Sequence, residues 1–155
     1  MTGGDDLLAL MRDVPAAVVV VTVDAGGQRV GLTITSFTSL SLEPPLVGVS
    51  VARHAALHEL VREAGAFAVS ILAAGQEHLA QHFARGVPPI GLWSGIATRD
   101  GALGAPLLEG ALGWLECEVA GEHPAGDHTL FVGAVATAEH GPGREALLRL
   151  RQSYS

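Results

Sequence analysis

Charge is scarce in this chain of 155 residues: only 16% are Asp, Glu, Lys or Arg. Nine basic side chains stand against sixteen acidic ones, a net charge of −7 with no basic cluster. Nucleic acid and anionic membrane surfaces are therefore poor partners, because both are bound through a surplus of positive charge. A single cysteine, Cys117, excludes an internal disulfide. No apolar run approaches the length of a membrane-spanning helix, and the opening Met-Thr-Gly-Gly-Asp-Asp is acidic, unlike a secretory signal. A cytoplasmic location is the expectation. Neither GxGxxG after a strand nor GxxxxGK[ST] occurs, so a Rossmann or P-loop nucleotide site is not encoded.

The 48% hydrophobic content is ample for one packed core, and no repeat or linker divides residues 1–155, which read as a single domain. With so few charges, some apolar surface is expected to be covered by a second subunit in a homodimer.

Periodicity points to a mostly β chain with short helices. Leu7, Leu8, Leu10 and Met11 have helical spacing over residues 5–13, with Asp5 or Asp6 as a cap. Residues 17–23 form a buried β-branched strand, Asp24-Ala-Gly-Gly27 a tight turn, and residues 28–39 the returning hairpin partner. Further strands are predicted over residues 46–51, 67–72, 111–122 and 128–139, the last two joined by a turn around Pro124-Ala-Gly126. Helices are predicted over residues 55–63, ending at Gly65, and 76–84, closed by Gly86 and Pro88-Pro89. Residues 87–106, rich in Gly and Pro, read as a long loop, and residues 144–154 as a short, mildly basic tail. Around seven strands with short helices imply a closed or split antiparallel barrel.

The most informative stretch is Gly31-Leu-Thr-Ile-Thr-Ser-Phe-Thr-Ser-Leu-Ser-Leu-Glu-Pro-Pro-Leu-Val47. Six hydroxyls (Thr33, Thr35, Ser36, Thr38, Ser39, Ser41) fall within nine residues. A buried hydroxyl without a partner costs roughly 1–3 kcal/mol, so such a run suits either a solvated edge strand or a wall that hydrogen-bonds a polar ring and its phosphate. Pro44-Pro45 ends the extended segment, since neither residue can donate to a ladder.

Candidate metal and nucleophile sites are weak. His78 and His82, preceded by Glu77, and His54 and His58 are spaced four apart, but neither pair has the H-E-x-x-H order or a companion ligand. Solvated helix faces explain them better. Cys117 alternates with Leu115 and Val119 and reads as core. Gly126-Asp127-His128-Thr129 places a titratable ring where a strand begins, either as an ordinary exposed turn or at the rim of a ligand mouth.

Taken together, these blocks resemble the short-chain flavin reductases, the reductase components of two-component flavin-dependent monooxygenases. That family pattern contains Gly-Met-Thr-x-x-Ser-Phe-x-Ser-x-Ser-x-x-Pro-Pro-Leu, a strand ending Arg-Ser, a Phe-Ala-Val strand, Gln-x-x-x-Ala-x-x-Phe-Ala and Gly-Asp-His-x-x-Phe-x-Gly. The chain supplies each in order, within residues 18–46, 50–53, 67–69, 76–84 and 126–133, and the likeness runs over about residues 12–154. The resemblance implies an FMN-binding split β-barrel of Greek-key-like type and a homodimer. It also implies an NAD(P)H:flavin oxidoreductase that reduces FMN or FAD with NADH or NADPH and passes reduced flavin to a monooxygenase. It implies that Thr33, Ile34, Thr35 and Ser36 line the flavin ring. Ser50, Val51, Ala52 and Arg53, with the turn His54-Ala55-Ala56, approach the ribityl and phosphate end. Phe83 and Ala84 close over the flavin tail, and His128 is the catalytic-site residue, orienting the nicotinamide amide.

Departures from the pattern are the hydroxyls missing at Ala55 and Ala56, Leu57 in place of a common Thr, the apolar Val87-Pro-Pro-Ile-Gly91, and Gln152 in place of a frequent Gly. Two other classes compete: a non-catalytic flavin- or haem-binding split barrel, yellow but inert to NADH, and a cofactor-free interaction barrel, colourless and not stabilised by FMN.

Overall fold

A computed structural model describes residues 2–85 and 89–155. Its centre is β2 (Val19–Ala25), in which Val19, Val20, Val21, Thr22 and Val23 are buried. β-Branched side chains suit a pleated, enclosed surface, and burying each valine stabilises by about 1.5 kcal/mol. The one polar member, Thr22, is satisfied by donating to the Pro106 carbonyl at 2.7 Å.

β2 turns at Gly26-Gly27, whose φ angles of 62° and 91° suit a two-residue hairpin, into β3 (Gln28–Ile34). Asp24 fastens this hairpin by accepting from the Gly27 N–H and from Arg29 Nε. The chain then makes β4 (Phe37–Leu42) and β5 (Pro45–Ala52), an antiparallel pair on either side of Pro44. α2 (Ala56–Ala64) follows and ends at Gly65, left-handed at φ 67° as a helix-terminating glycine should be. β6 (Ala66–Ile71), α3 (Glu77–Ala84) and α4 (Pro89–Leu92) come next. β7 (Thr98–Asp100) and β8 (Pro106–Leu108) form a small hairpin, and β9 (Gly113–Ala125) and β10 (His128–His140) a long one. α1 (Gly4–Met11) precedes β1 (Ala16–Ala17), which pairs with the C-terminal hairpin of β11 (Leu148–Leu150) and β12 (Ser153–Tyr154).

Seven strands make the principal antiparallel sheet in the order β3-β2-β6-β9-β10-β5-β4. Its two edge strands, β3 and β4, are consecutive in sequence yet do not pair with each other, which leaves the sheet split between them. The Ser50 N–H donates to the Ser36 carbonyl at 3.2 Å across that split, so β3's far end is held beside β5. Val18–Val23, Val49, Val51, Phe67, Val69, Phe83 and Phe131 share the core, onto which α2 presents Leu57, Leu60 and Val61.

The mostly antiparallel β class expected from the sequence holds. Several boundaries differ. Residues 28–39 do not form one strand: β3 ends at Ile34, and β4 pairs with β5 instead of β2. α1 is capped by Gly3 with no side-chain bond, and Asp5 and Asp6 sit in its first turn, where their charges complement the helix dipole. The segment read as a long loop contains α4, β7 and the first residue of β8. The turn between β9 and β10 falls at Gly126-Asp127, and Pro124 lies within β9. The tail is a hairpin. Gly86, Val87 and Pro88, expected to close α3 and open the loop, lie outside the described residues.

Candidate functional site

A cavity of about 320 Å³ lies over the split, between β3 and the β5–β10 ladder. Leu32, Thr33, Ile34, Thr35 and Ser36 form one wall, and Ser50 and Ala52 of β5 with His128 of β10 form the other. Register fixes the second wall: His128 lies opposite Ala52 and Leu130 opposite Ser50. Because strands alternate faces, the intervening pair, Thr129 and Val51, points into the core.

The hydroxyls of the first wall are positioned by the neighbouring elements. Thr33 Oγ1 donates to the Ala80 carbonyl at 2.7 Å, tying β3 to α3. Ser36 Oγ donates to the Ser50 carbonyl at 2.8 Å, tying the β3–β4 link to β5. Thr35 and Ser50 hydroxyls find no protein partner among the described residues, so they remain available to a ligand. α3 is seated by Phe83, which is buried against Trp93 with ring centroids 5.3 Å apart. Gly31 permits the approach, since a Cβ there would stand 2.9 Å from Phe83. Ala84, next to Phe83, reaches the cavity.

At the cavity's end beyond Ala52, Arg53 is exposed and meets no carboxylate among the described residues. Its N–H donates to the Asp127 carbonyl at 3.0 Å. α2 starts just beyond, and its N-cap, Ala55, offers no side-chain oxygen to the first-turn N–H groups. An uncapped helix N-terminus beside a free guanidinium attracts an anion such as a phosphate. His54 is exposed in the same turn.

His128 stands on the rim with its side chain 43% exposed, and its Nδ1–H donates to Asp127 Oδ1 at 2.7 Å. Hydrogen bonding from the ring, and then the ring's charge, hold the Asp127 carboxyl below its ordinary value. With Nδ1 so engaged, Nε2 is the ring nitrogen left for a ligand.

The residues singled out from the sequence thus separate into three groups. Thr33, Ile34, Thr35, Ser36, Ser50, Ala52, Ala84 and His128 share one cavity. Arg53, His54, Ala55 and Ala56 cluster at its end, before and in the first turn of α2. Val51 and Phe83 bury their side chains in the core and can offer a ligand only backbone. Three lining residues were not anticipated: Leu32 of β3, and Arg149 and Tyr154 from the C-terminal hairpin.

Of the histidines read as solvated, His58 is buried. Its Nδ1 lies 3.2 Å from Glu59 Oε1 and its Nε2 2.7 Å from Thr129 Oγ1, with the ring edge-on to Phe131. His82 is half-buried and bonds to the Leu92 carbonyl at 2.6 Å. Among the described residues no cluster of three metal-ligating side chains occurs. Cys117 is fully buried, and burial, aided by the adjacent Glu116 charge, pushes its thiol up to about 12, so it is not a nucleophile.

A split antiparallel sheet with a hydroxyl-walled cleft over its split is the architecture these elements build. Comparison with known proteins makes this specific. The profile of the family described as "Flavin reductase like domain" matches residues 11–155. The chain is 45% identical over 146 residues to an NADH-dependent FAD reductase of Streptomyces globisporus, covering 92% of this chain and 79% of that protein. It is 40% identical to the reductase component of 4-hydroxyphenylacetate 3-monooxygenase of Thermus thermophilus, covering 90% and 87%. The crystal structure of the flavin reductase component of a bacterial two-component tryptophan halogenase superposes with a TM-score of 0.91 at 39% identity, covering 99% of this chain and 97% of that one. The chain belongs to the flavin reductase-like family.

Proposed function

We propose that this chain is an NAD(P)H-dependent flavin reductase that transfers a hydride to FMN or FAD and delivers reduced flavin to a partner monooxygenase. The observation that carries the reading is the cavity over the sheet's split, walled by Thr33–Ser36 and lined as far as Ala52, which Arg53 and the open N-terminus of α2 follow in the chain, in a chain of this family. The names of the three relatives above, flavin reductases or reductase components, support it and favour it over a non-catalytic flavin- or haem-binding barrel.

The residues present fit a flavin. The cavity has the size of a small-molecule site, mixes apolar walls with a few hydroxyls, and has Arg149 in its lining and Arg53 next to Ala52. Bound flavin supplies the hydride-accepting ring, which the protein need only position. In this reading Thr35, Ser50 and the backbone of residues 33–36 hold the polar edge of the ring, where charge develops on reduction. Arg53, with the first turn of α2, holds the phosphate, and Ala84 covers the tail. His128, its ring steadied by Asp127, orients the nicotinamide through Nε2.

A homodimer belongs to the same proposal. Leu7, Leu10 and Leu42 are 59%, 66% and 87% exposed, more apolar side chain than a chain this poor in charge needs on a free surface. No helix among the described residues is long and apolar enough to cross a membrane, and a cytoplasmic location gives ready access to NADH.

The test is steady-state oxidation of NADH and NADPH with FMN, FAD and riboflavin, beside thermal unfolding with added flavin. Turnover with at least one pair is expected. Flavin at 100 times its Kd should stabilise the fold by roughly 2.7 kcal/mol. A protein that gains stability but oxidises neither nucleotide would be a flavin carrier instead.

A further inference from the structure

A buried imidazole is costly unless its ring nitrogens are bonded, and His58 is one that the proposed reaction does not use. It stands in the first turn of α2, where Leu57, Leu60 and Val61 are buried beside it and a leucine would pack as readily. Its side chain is 8% exposed. Nε2 lies 2.7 Å from Thr129 Oγ1 and Nδ1 lies 3.2 Å from Glu59 Oε1, with the ring edge-on to Phe131. Glu59 is paired in turn with Arg62, and Arg62 with Glu122 of β9 at 3.1 Å.

The His58–Thr129 contact joins two parts of the site. Thr129 is the inward residue between His128 and Leu130 and pairs with Val51, so the β5–β10 ladder fixes its place. The first turn of α2 has few directional ties of its own. Its N-cap, Ala55, makes no side-chain bond. Two short backbone bonds span the turn, from the Ala55 N–H to the Ala52 carbonyl at 3.1 Å and from the His58 N–H to the Ala55 carbonyl at 3.0 Å. Packing by Leu57, Leu60 and Val61 holds the helix to the core but is non-directional, so it tolerates rotation and sliding. A hydrogen bond of 2.7 Å does not. A capping side chain at position 55 would also have steadied the turn, but by occupying one of its N–H groups. A tether from His58 leaves the Ala56 and Leu57 N–H groups open, and they find no acceptor among the described residues.

We propose that His58 is a positioning residue. By bonding to Thr129 it holds the first turn of α2, and Arg53 just before it, where they can receive a flavin phosphate. Its ring is buried and acts through Thr129. The role rests on the reductase reading and deepens it, because affinity for the phosphate then depends on a side chain on the inward face of the ladder.

Fluorescence titration with FMN and with riboflavin, which lacks the phosphate, tests this. Wild-type protein should bind FMN the more tightly. Thr129→Val keeps the residue's shape and removes its hydroxyl. It should weaken FMN about fivefold, as expected for one lost hydrogen bond, and leave riboflavin unchanged. His58→Leu should act in the same way, and the two together should bind FMN no more weakly than either alone. Thr129→Ser, which retains the hydroxyl, should bind FMN as wild type does.

A histidine with a purely structural part would lower the urea midpoint when its bond is lost, yet weaken both flavins alike or neither. Either result in an FMN-selective protein overturns the proposal and leaves the reductase reading standing. Should His58→Leu fail to fold, Thr129→Val and Thr129→Ser decide the matter. Wild-type protein that binds the two flavins equally also overturns the proposal, and one that binds no flavin sinks the reductase reading with it.

Discussion

The two faces of the β5–β10 ladder are made from alternate residues of the same strands, yet they behave as different materials. Val49, Val51, Thr129 and Phe131 face inward and are buried, at most 6% exposed. Ser50, Ala52, His128 and Leu130 face outward and are half-buried. The inward face is closed on all sides, so each atom there carries packing energy. The outward face forms one wall of the cavity, where polar groups are left unsaturated for a ligand. One register therefore positions the site and the core together, and a slip by one residue would exchange them.

The sharpest way to expose that difference is on the inward face. Phe131→Ala should destabilise the protein by about 3–5 kcal/mol, since a fully buried aromatic leaves a cavity that close packing cannot refill. A shift in the urea midpoint measures it. Gly133→Ala should cost about 1–3 kcal/mol through overpacking. A Cβ at that position would stand 2.6 Å from Phe67 and 2.8 Å from Cys117, in a rigid part of the core. Either variant unfolding at the wild-type midpoint would mean that the inward face is looser than its packing implies.

Thr129→Val probes the one polar link on that face. In the tautomer whose Nδ1–H donates to Glu59, His58 Nε2 accepts the Thr129 hydroxyl proton. Valine keeps the shape and removes the donor, leaving a buried nitrogen unsatisfied at a cost of about 1–3 kcal/mol. Because Thr129 adjoins His128, a fall in stability with an unchanged KM for NADH would show that the two faces are energetically separate.

How much of this was legible in sequence depends on the range over which each feature is determined. The β2–β3 hairpin is written locally in Gly26-Gly27, and the end of α2 in Gly65. The break of residues 28–39 into β3 and β4 is not local. It is set by Ser36 bonding to Ser50 from fourteen residues away, and the hydroxyl run alone looks uniform. β7 and β8 are three residues each, too short for alternation to register. His58 occupies a helix position whose neighbours, Leu57, Leu60 and Val61, are buried, but a histidine among them reads equally as solvated. The C-terminal hairpin turns on Arg151-Gln152, which carries no turn signature, so Arg149 and Tyr154 gave no sign of reaching the cavity.

The smallest effect on stability is expected on the outward face, and it is the one that bears most on function. His128 hydrogen-bonds to Asp127, a carboxylate 94% exposed, where water competes for the contact. His128→Ala should lower the unfolding midpoint at neutral pH only slightly. The sign of its pH dependence is nonetheless fixed. The Asp127 carboxyl is held below its ordinary value of 3.8, so the pair's contribution is present above that pH and fades as pH falls through the lowered value. The variant should therefore show a slightly flatter acid limb than wild type. Its kinetics should move far more, with KM for the pyridine nucleotide raised about tenfold for one lost hydrogen bond and Kd for flavin unchanged. If KM for the nucleotide stays constant while the acid limb flattens, His128 serves only to steady the β9–β10 turn, and its proposed role toward the nicotinamide falls.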